Sequence, residues 1–330
     1  RNLDMRDLKI KLTSSKNALN IESKTKCKSF GYQILGFGSG GGGAPSGPTQ
    51  KGLFAFGNTG SVTNVSNLVS SSGVVASDTT GVGTARALLA GTTYGTDKGI
   101  VGYGYVSGPS SMSNLINNLG VVATDTTGVG TDAYDRAAAP YGGSAAGTAL
   151  FAFGETGGSP PRFTDRNLIS SVGVIASNVS GAGTAFSRIE ACGYGLDRAI
   201  FAFGWASGTY GSGTAISHLV SNTGVLGSDV AAVGTRRFQA AACSYGEDLG
   251  IFGYGSNTAL GNNALTNKVS SSGVVATDTA GVGTGRQNLG ACSYGGDKGI
   301  FGFGYDGSNT AVTNLVNNVG VVASDVSGVG

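Results

Sequence analysis

Residues able to carry out acid–base or nucleophilic catalysis are scarce in this chain, which has one histidine, His218, among 330 residues. A serine nucleophile needs a neighbouring histidine and a sharp turn that exposes its hydroxyl. No Gly-x-Ser-x-Gly turn precedes His218, so the sequence gives no support to a Ser-His-Asp arrangement. We therefore expect His218 to be an exposed or strand-edge histidine at the start of a strand, and we predict no catalytic residues.

The cysteines are the second set of candidate reactive groups. Three of the four occupy one place in the repeats described below, two residues before a tyrosine: Cys192, Cys243 and Cys292. Thr92 and Ala139 stand at that place in two other repeats. A position that accepts Cys, Thr or Ala favours a small packed side chain over a zinc ligand. Because Cys27 is the only other cysteine, we do not expect a disulfide framework.

Carboxylates recur at one position of the repeats, as Asp78, Asp125, Asp229, Asp278 and Asp325. A calcium loop needs several oxygen ligands in an Asp-x-Asp-x-Asp-Gly pattern, which does not accompany these aspartates. A turn-capping role explains one aspartate before a glycine-bearing turn better. The run from Gly36 to Gly41 resembles a dinucleotide-binding fingerprint but lacks the βαβ context that such a site needs. We predict neither a metal site nor a cofactor.

An internal repeat positions these residues. An aromatic-glycine tetrad begins at residues 54, 101, 151, 201, 252 and 301, at steps of 47, 50, 50, 51 and 49 residues. A period near fifty is typical of stacked or radially arranged units, since one such unit cannot bury its own apolar face. The sixty glycines and the 12% charged residues favour short strands and tight turns over long helices.

The copy at residues 284–328 predicts how each unit folds. Arg286–Tyr294 and Lys298–Tyr305 form two strands joined by a tight hairpin, and further strands follow near Val312–Val316 and Val321–Ser324. Six such units predict an all-β fold, a six-bladed β-propeller of four-stranded antiparallel blades over residues 31–330. Residues 1–30 form an N-terminal extension. We expect Phe30–Phe37 to supply the first strand of blade one, with residues 39–50 as an enlarged hairpin loop.

Length varies mainly in the loop between strands two and three, which in a propeller lies on the same face as the connections between blades. The residue after each tetrad begins this loop: Asn58, Tyr105, Glu155, Trp205, Ser256 and Tyr305. Aromatic side chains on a rigid rim can stack on sugars or anchor a protein contact. We predict a binding rim formed by Tyr105, Trp205, Tyr210, Tyr305 and Arg162. The alternative is that these aromatics only shield the blade edges.

Charge separates the two parts of the chain. Residues 1–30 have eight basic and three acidic residues, a net charge of +5, whereas the other 300 residues carry −3. The repeats therefore lack the basic footprint of a nucleic-acid-binding domain. No apolar run approaches the roughly 18 residues needed to cross a bilayer, so we expect no membrane insertion. The basic arm is either a solvated terminal segment or a grip for an acidic partner.

The sequences of the repeats resemble those of two known kinds of repeat. An arginine that opens the first strand (Arg86, Arg237, Arg286) and a glycine-bearing second strand resemble a diverged kelch or chromosome-condensation-regulator propeller repeat, although Ala133 and Phe186 replace the arginine in two copies. The phrases Gly296-Asp297-Lys298, Thr313-Asn314-Leu315 and Gly320-Val321-Val322-Ala323-Ser324-Asp325 resemble repeat arrays in virion structural and tail-associated proteins of marine tailed bacteriophages. This second resemblance covers residues 51–330.

The resemblance implies a non-enzymatic virion structural or adhesion protein, in a phage tail, fibre or capsid surface, located on the virion or outside the cell. Residues 1–30 would attach it to other virion or surface-assembly proteins in an oligomeric assembly, and the rim would contact a host-surface glycan or protein. A lectin-like cell-surface propeller that binds carbohydrate is the second hypothesis. A propeller enzyme is the third, and it requires converging carboxylates or a metal that the repeats do not provide.

Overall fold

The computed structural model describes residues 32–34, 50–158, 162–206 and 213–329. Within these ranges the chain forms six main sheets in sequence order. Sheet one contains β1 (Tyr32–Ile34), β2 (Lys51–Asn58) and β3 (Val62–Val69); sheet two contains β4 (Ala90–Tyr94), β5 (Lys98–Gly102) and β6 (Ser113–Ile116); sheet three contains β7 (Ala137–Tyr141), β8 (Thr148–Ala152) and β9 (Arg166–Ile169). The predicted extension, residues 1–30, lies outside the described residues.

The remaining sheets follow the same plan. Sheet four contains β10 (Glu190–Tyr194), β11 (Arg198–Gly204), β12 (Thr214–Val220) and β13 (Leu226–Val230); sheet five contains β14 (Ala241–Tyr245), β15 (Leu249–Gly253) and β18 (Thr266–Val269); sheet six contains β19 (Gly290–Tyr294), β20 (Lys298–Gly302) and β21 (Thr313–Val316). A small hairpin, β16 (Ser256–Asn257) and β17 (Gly261–Asn262), lies in the variable loop of sheet five, and helix α1 (Gly143–Ala146) lies between β7 and β8. No helix in the described ranges has the length and apolar character needed to cross a bilayer.

The first two strands of sheets two to six form the predicted antiparallel hairpins. In sheet six the pairing runs from Gly290 opposite Gly302 to Tyr294 opposite Lys298. Its connecting turn requires a left-handed backbone at Gly295, with φ of 64°, where glycine avoids the Cβ clash that other residues meet. The third strand pairs with the second in register, with Phe301 opposite Asn314. The chain is thus an all-β protein built mainly of antiparallel sheets.

Among the described sheets, the segment predicted to be the fourth strand of each unit forms a continuous strand only in sheet four. In sheet six, Val322 and Val326 make isolated bridges instead, opposite Val316 and Thr313. Between these bridges the Asn314 side chain donates hydrogen bonds to the Ala323 carbonyl and to Asp325. The Asn314 side-chain amide therefore makes hydrogen bonds where backbone hydrogen bonds between two strands would otherwise lie. His218 stands in place of this asparagine in sheet four, and there the backbone pairing continues, with His218 opposite Asp229.

Sheet one differs from the prediction. The sequence predicted that Phe30–Phe37 would begin an antiparallel hairpin, but β1 pairs with β2 in parallel, with Tyr32 opposite Lys51 and Ile34 opposite Leu53. A three-residue turn forces two strands to run antiparallel, whereas residues 35–50 form a connection long enough for a parallel crossover. Most of the predicted enlarged loop, residues 39–50, lies outside the described residues.

Neighbouring sheets pack through their first strands and through aromatic side chains. Strand β7 contacts β4 and β10, β14 contacts β10 and β19, and β1 contacts β19 and β4. Edge-to-face or tilted ring pairs with centres 5.0–5.6 Å apart link the sheets. Between consecutive sheets from two to six they are Tyr103–Phe151 (5.0 Å), Phe153–Phe201 (5.6 Å), Phe203–Phe252 (5.3 Å) and Tyr254–Phe301 (5.2 Å), and between sheets one and six the pair is Phe54–Phe303 (5.0 Å). The core thus consists of apolar layers between sheets.

Candidate functional site

Five equivalent residues, which we call the inner-loop series, bring the sheets together beside their first strands. They are Leu88, Asp135, Arg188, Gln239 and Asn288, and each stands two residues before the first strand of its sheet. The backbone N–H of each later member donates to the carbonyl of the preceding one, over 2.9 to 3.3 Å. All five have φ of 53–56°, a region that non-glycine residues rarely occupy. Five side chains of different chemistry are thereby fixed next to one another.

A cavity of about 780 Å³ opens beside this series. The inner-loop series lines it together with Glu190, the first residue of β10, and with Tyr105 and Tyr305 from the variable loops. The two tyrosines are 39% and 41% exposed, so their rings are accessible to a ligand. A volume of this size is in the range of small-molecule binding sites.

One wall of the cavity is charged. The Arg188 guanidinium lies 3.2 Å from the Asp135 carboxylate, which is buried. Burial raises the pKa of Asp135 to about 6, although Arg188 opposes this shift. Burial and the neighbouring Asp135 carboxylate also raise the pKa of Glu190 well above its usual value. Among the described residues, the Glu190 side chain has no hydrogen bond or ion pair, so its carboxyl group is available to a ligand.

The predicted rim residues divide into two groups. Tyr105 and Tyr305 line the cavity, and Tyr105 packs edge-on against Tyr134 with ring centres 5.3 Å apart. Trp205 and Arg162 lie together elsewhere: the Arg162 guanidinium is stacked 4.0 Å from the centre of the Trp205 ring. Tyr210 lies outside the described residues. The structure therefore places two of the predicted residues at the cavity and two in a separate contact.

The contacts of Trp205 favour a structural role for this residue. Arg162 covers its ring while donating a 3.0 Å hydrogen bond to Ser187 Oγ, and it lies 3.7 Å from Glu155. The Arg188 guanidinium lies 5.1 Å from the same ring. A ring covered by guanidinium groups gains cation–π stabilisation but offers less surface for stacking on a ligand. For Trp205 the edge-shielding alternative fits better than sugar binding.

Asp135, Arg188 and Glu190 were not among the predicted site residues. The signal that points to them is divergence between repeats: four residues after the linker threonine the chain has Leu, Asp, Arg, Gln and Asn. Six residues after that threonine, where Glu190 stands, the other repeats have Ala90, Ala137, Ala241 and Gly290. Positions that differ in charge within a repeated scaffold are not dictated by the repeat itself. The prediction considered only the longer loops and missed them.

His218 is not exposed, contrary to the prediction. Its side chain is fully buried in the middle of β12, with ring centres 4.9 Å from Phe153 and 5.3 Å from Phe186. Burial lowers its pKa, although Gly227 and Asp229 oppose this shift, so the imidazole is neutral at pH 7. It packs at the place of the asparagine in the other sheets. The prediction was wrong because it placed His218 at the start of the third strand, next to the variable loop, whereas the residue lies inside β12.

The recurring aspartates are not local turn caps. Asp325 accepts hydrogen bonds from the backbone N–H and the hydroxyl of Thr284, 41 residues earlier, and from Asn314. Asp278 is bonded in the same way to Thr235 and Asn267. Each such aspartate thus fastens the linker that enters a sheet to the outer segment of that sheet. Within the described residues, no three His, Cys, Asp or Glu side chains come close enough to hold a metal ion.

Comparison with known proteins does not add a relationship. The chain matches no protein-family model, and no curated protein matches it.

Proposed function

We propose that the six sheets close into a six-bladed β-propeller. Contacts of β1 with both β19 and β4 support this arrangement, as does the 5.0 Å pair between Phe54 of sheet one and Phe303 of sheet six. Projection images of the purified protein by electron microscopy test it, with a disc of six sectors as the expected view. An open arc or a ring with another number of sectors contradicts the proposal.

We further propose that the protein is a non-enzymatic adhesion module of a virion or of another extracellular assembly. The observation that carries this proposal is the cavity, where residues that differ between repeats, together with two exposed tyrosines, lie on a repeated scaffold. The resemblance of the repeat sequences to those of phage virion proteins supports a location on the virion. The pKa of Tyr134 is raised to about 12, mainly by burial and also by Glu155, which is opposite to the activation that a nucleophilic tyrosine requires.

Residues 1–30, with their net charge of +5, are the proposed attachment segment to neighbouring proteins of the assembly. A variant that begins at residue 31 tests this role. We expect it to bind its surface ligand as the full chain does but to be lost from the assembled particle, as judged by its presence in purified particles. Incorporation of this variant at the normal level contradicts the attachment role.

A lectin-like role is the second candidate, and the exposure of Tyr105 and Tyr305 at the cavity favours it. The test is a glycan array probed with the full chain and with a Tyr105→Ala/Tyr305→Ala variant. Binding that the double variant loses supports carbohydrate recognition at the cavity. Trp205→Ala is the matched aromatic control, because Arg162 already covers that ring, and we expect it to keep the signal. If the unmodified chain binds no glycan, the lectin role is excluded.

A further inference from the structure

Glu190 is the residue whose presence the fold explains least. It begins β10, at a position where four other sheets have alanine or glycine, so the scaffold does not require a long or charged side chain there. Glu190 is half-buried, and taking a carboxyl group partly out of water is unfavourable unless it is paired. No described residue pairs with it, and Glu190 is one of the residues that line the cavity. These facts together point to a ligand that supplies the missing partner.

The charges around Glu190 specify the sign of that partner. Arg188 is already paired with Asp135 at 3.2 Å. Arg136 also borders the cavity. Its guanidinium donates a hydrogen bond to Asn167 and stacks on the Tyr103 ring. The carboxylate of Asp78 accepts a hydrogen bond from Asn67. Among the described charged side chains named here at the cavity, the Glu190 carboxylate is therefore the one with neither an ion pair nor a hydrogen bond, and a cation complements it.

The other lining groups indicate what carries the cation. Tyr105 and Tyr305 offer accessible aromatic surface, which suits the C–H face of a sugar ring. The amides of Gln239 and Asn288 can both donate and accept hydrogen bonds, as hydroxyl groups require. We propose that the cavity binds an amino sugar, with the ammonium group paired to the Glu190 carboxylate and the ring beside the tyrosines. This inference rests on the proposed adhesion role and names its ligand class.

The raised pKa of Glu190 gives the proposal a second readout. Without ligand, burial and the Asp135 carboxylate favour the protonated carboxyl group, whereas pairing with an ammonium group favours the ionised form. Binding then transfers that proton from Glu190 to solvent while the ligand keeps its own. A neutral sugar of the same shape has no such effect.

Titration calorimetry of the full chain at pH 6.5 with glucosamine, N-acetylglucosamine and glucose tests the inference, with a pH indicator in weakly buffered solution to detect released protons. We expect glucosamine to bind at least about tenfold more tightly than the other two sugars, a difference of about 1.4 kcal/mol. Glu190→Gln should lose both this preference and the proton release. Glu190→Ala should do the same and fold normally, because alanine occupies the equivalent position in three sheets. Glu247→Gln removes an exposed carboxylate from the β14–β15 turn and should change neither.

Equal binding of glucosamine and N-acetylglucosamine, an unchanged preference in Glu190→Gln, or no glucosamine binding by the unmodified chain overturns the inference. None of these results by itself removes the adhesion role. Array binding of uncharged glycans that depends on the two tyrosines but not on Glu190 would leave the proposed function standing with a different ligand. Loss of array binding, together with normal assembly of the variant that begins at residue 31, would instead contradict the proposed function.

Discussion

Single residues make the contacts that hold one sheet to the next. The guanidinium of Arg86 covers the Phe56 ring at 4.6 Å and donates to Asn114, and Arg237 covers Phe203 at 3.8 Å. In sheet three, where Ala133 replaces this arginine, Arg136 supplies the guanidinium instead, 4.0 Å from the Tyr103 ring. Sheet three therefore keeps the arginine–aromatic contact although the repeat position of the arginine holds alanine. Sequence spacing alone could not reveal this, since the substitute comes from a position three residues later.

The aspartate–threonine bonds give a prediction with a control already present in the chain. Asn178 takes the aspartate position in sheet three and still pairs with the Thr131 hydroxyl at 2.7 Å. We therefore expect Asp278→Asn to lower the free energy of unfolding by less than about 1 kcal/mol, because the amide keeps one acceptor. Asp278→Ala should lower it by about 2 kcal/mol, because Thr235 and Asn267 lose a shared partner. Urea denaturation measures both values, and equal losses would show that these hydrogen bonds do not stabilise the fold.

At the scale of strands, the repeat spacing was sufficient to locate the first three strands of sheets two to six. The fourth strand was not predictable in the same way, because Asn314 and its equivalents interrupt the backbone ladder with a side-chain amide. The direction of β1 was also beyond the sequence, since a long connection does not impose strand direction. Tyr105 and Tyr305, two residues of the predicted rim, line the cavity. Its charged wall was missed because Asp135 and Arg188 precede the first strands of their sheets and Glu190 begins one, so none of them lies in the longer loops.

The cysteine position depends on a strand of a neighbouring sheet, which explains why it also accepts alanine. A methyl group added at Gly250 would lie 2.6 Å from Cys192 Sγ, and one at Gly52 would lie 2.5 Å from Cys292 Sγ. Where the chain has Ala139 in place of cysteine, the residue equivalent to Gly250 is Ala199, and both are fully buried in one cluster. Cysteine opposite glycine and alanine opposite alanine thus have the same summed side-chain volume, as close packing requires.

This packing predicts a specific rescue. Gly250→Ala should lower the free energy of unfolding by about 1–3 kcal/mol through overpacking against Cys192. Cys192→Ala should recover most of that loss in the double variant, because it recreates the pair of alanines found at Ala139 and Ala199. Denaturation of the two single variants and the double variant measures the coupling. Additive losses would contradict direct contact between the two positions.

For the whole molecule, two sets of carboxylates oppose each other in their effect on stability. Burial tends to raise the pKa of Asp125, Asp278 and Asp325, but hydrogen bonds from threonine and asparagine outweigh it and the pKa is lowered. Their stabilisation is present above the unfolded-state pKa and is lost as pH falls through the folded-state pKa. The pKa of Asp135 and of Glu190 is raised, so the unfolded chain loses these protons first and stability decreases as pH rises. We expect maximal stability near pH 5.

Variants at the cavity separate these contributions. For Asp135 the rise from a usual value near 4 to about 6 corresponds to about 3 kcal/mol lost between pH 4 and pH 7. Asp135→Asn should therefore flatten the decline in unfolding free energy over this range, and Asp135→Asn/Glu190→Ala should flatten it further. Asp278→Asn should instead act below pH 4, where its carboxylate gains a proton. Urea denaturation at intervals from pH 3 to pH 8 measures all three profiles. A decline above pH 5 that persists in the double variant would mean that other groups, outside the cavity, control the pH dependence of this fold.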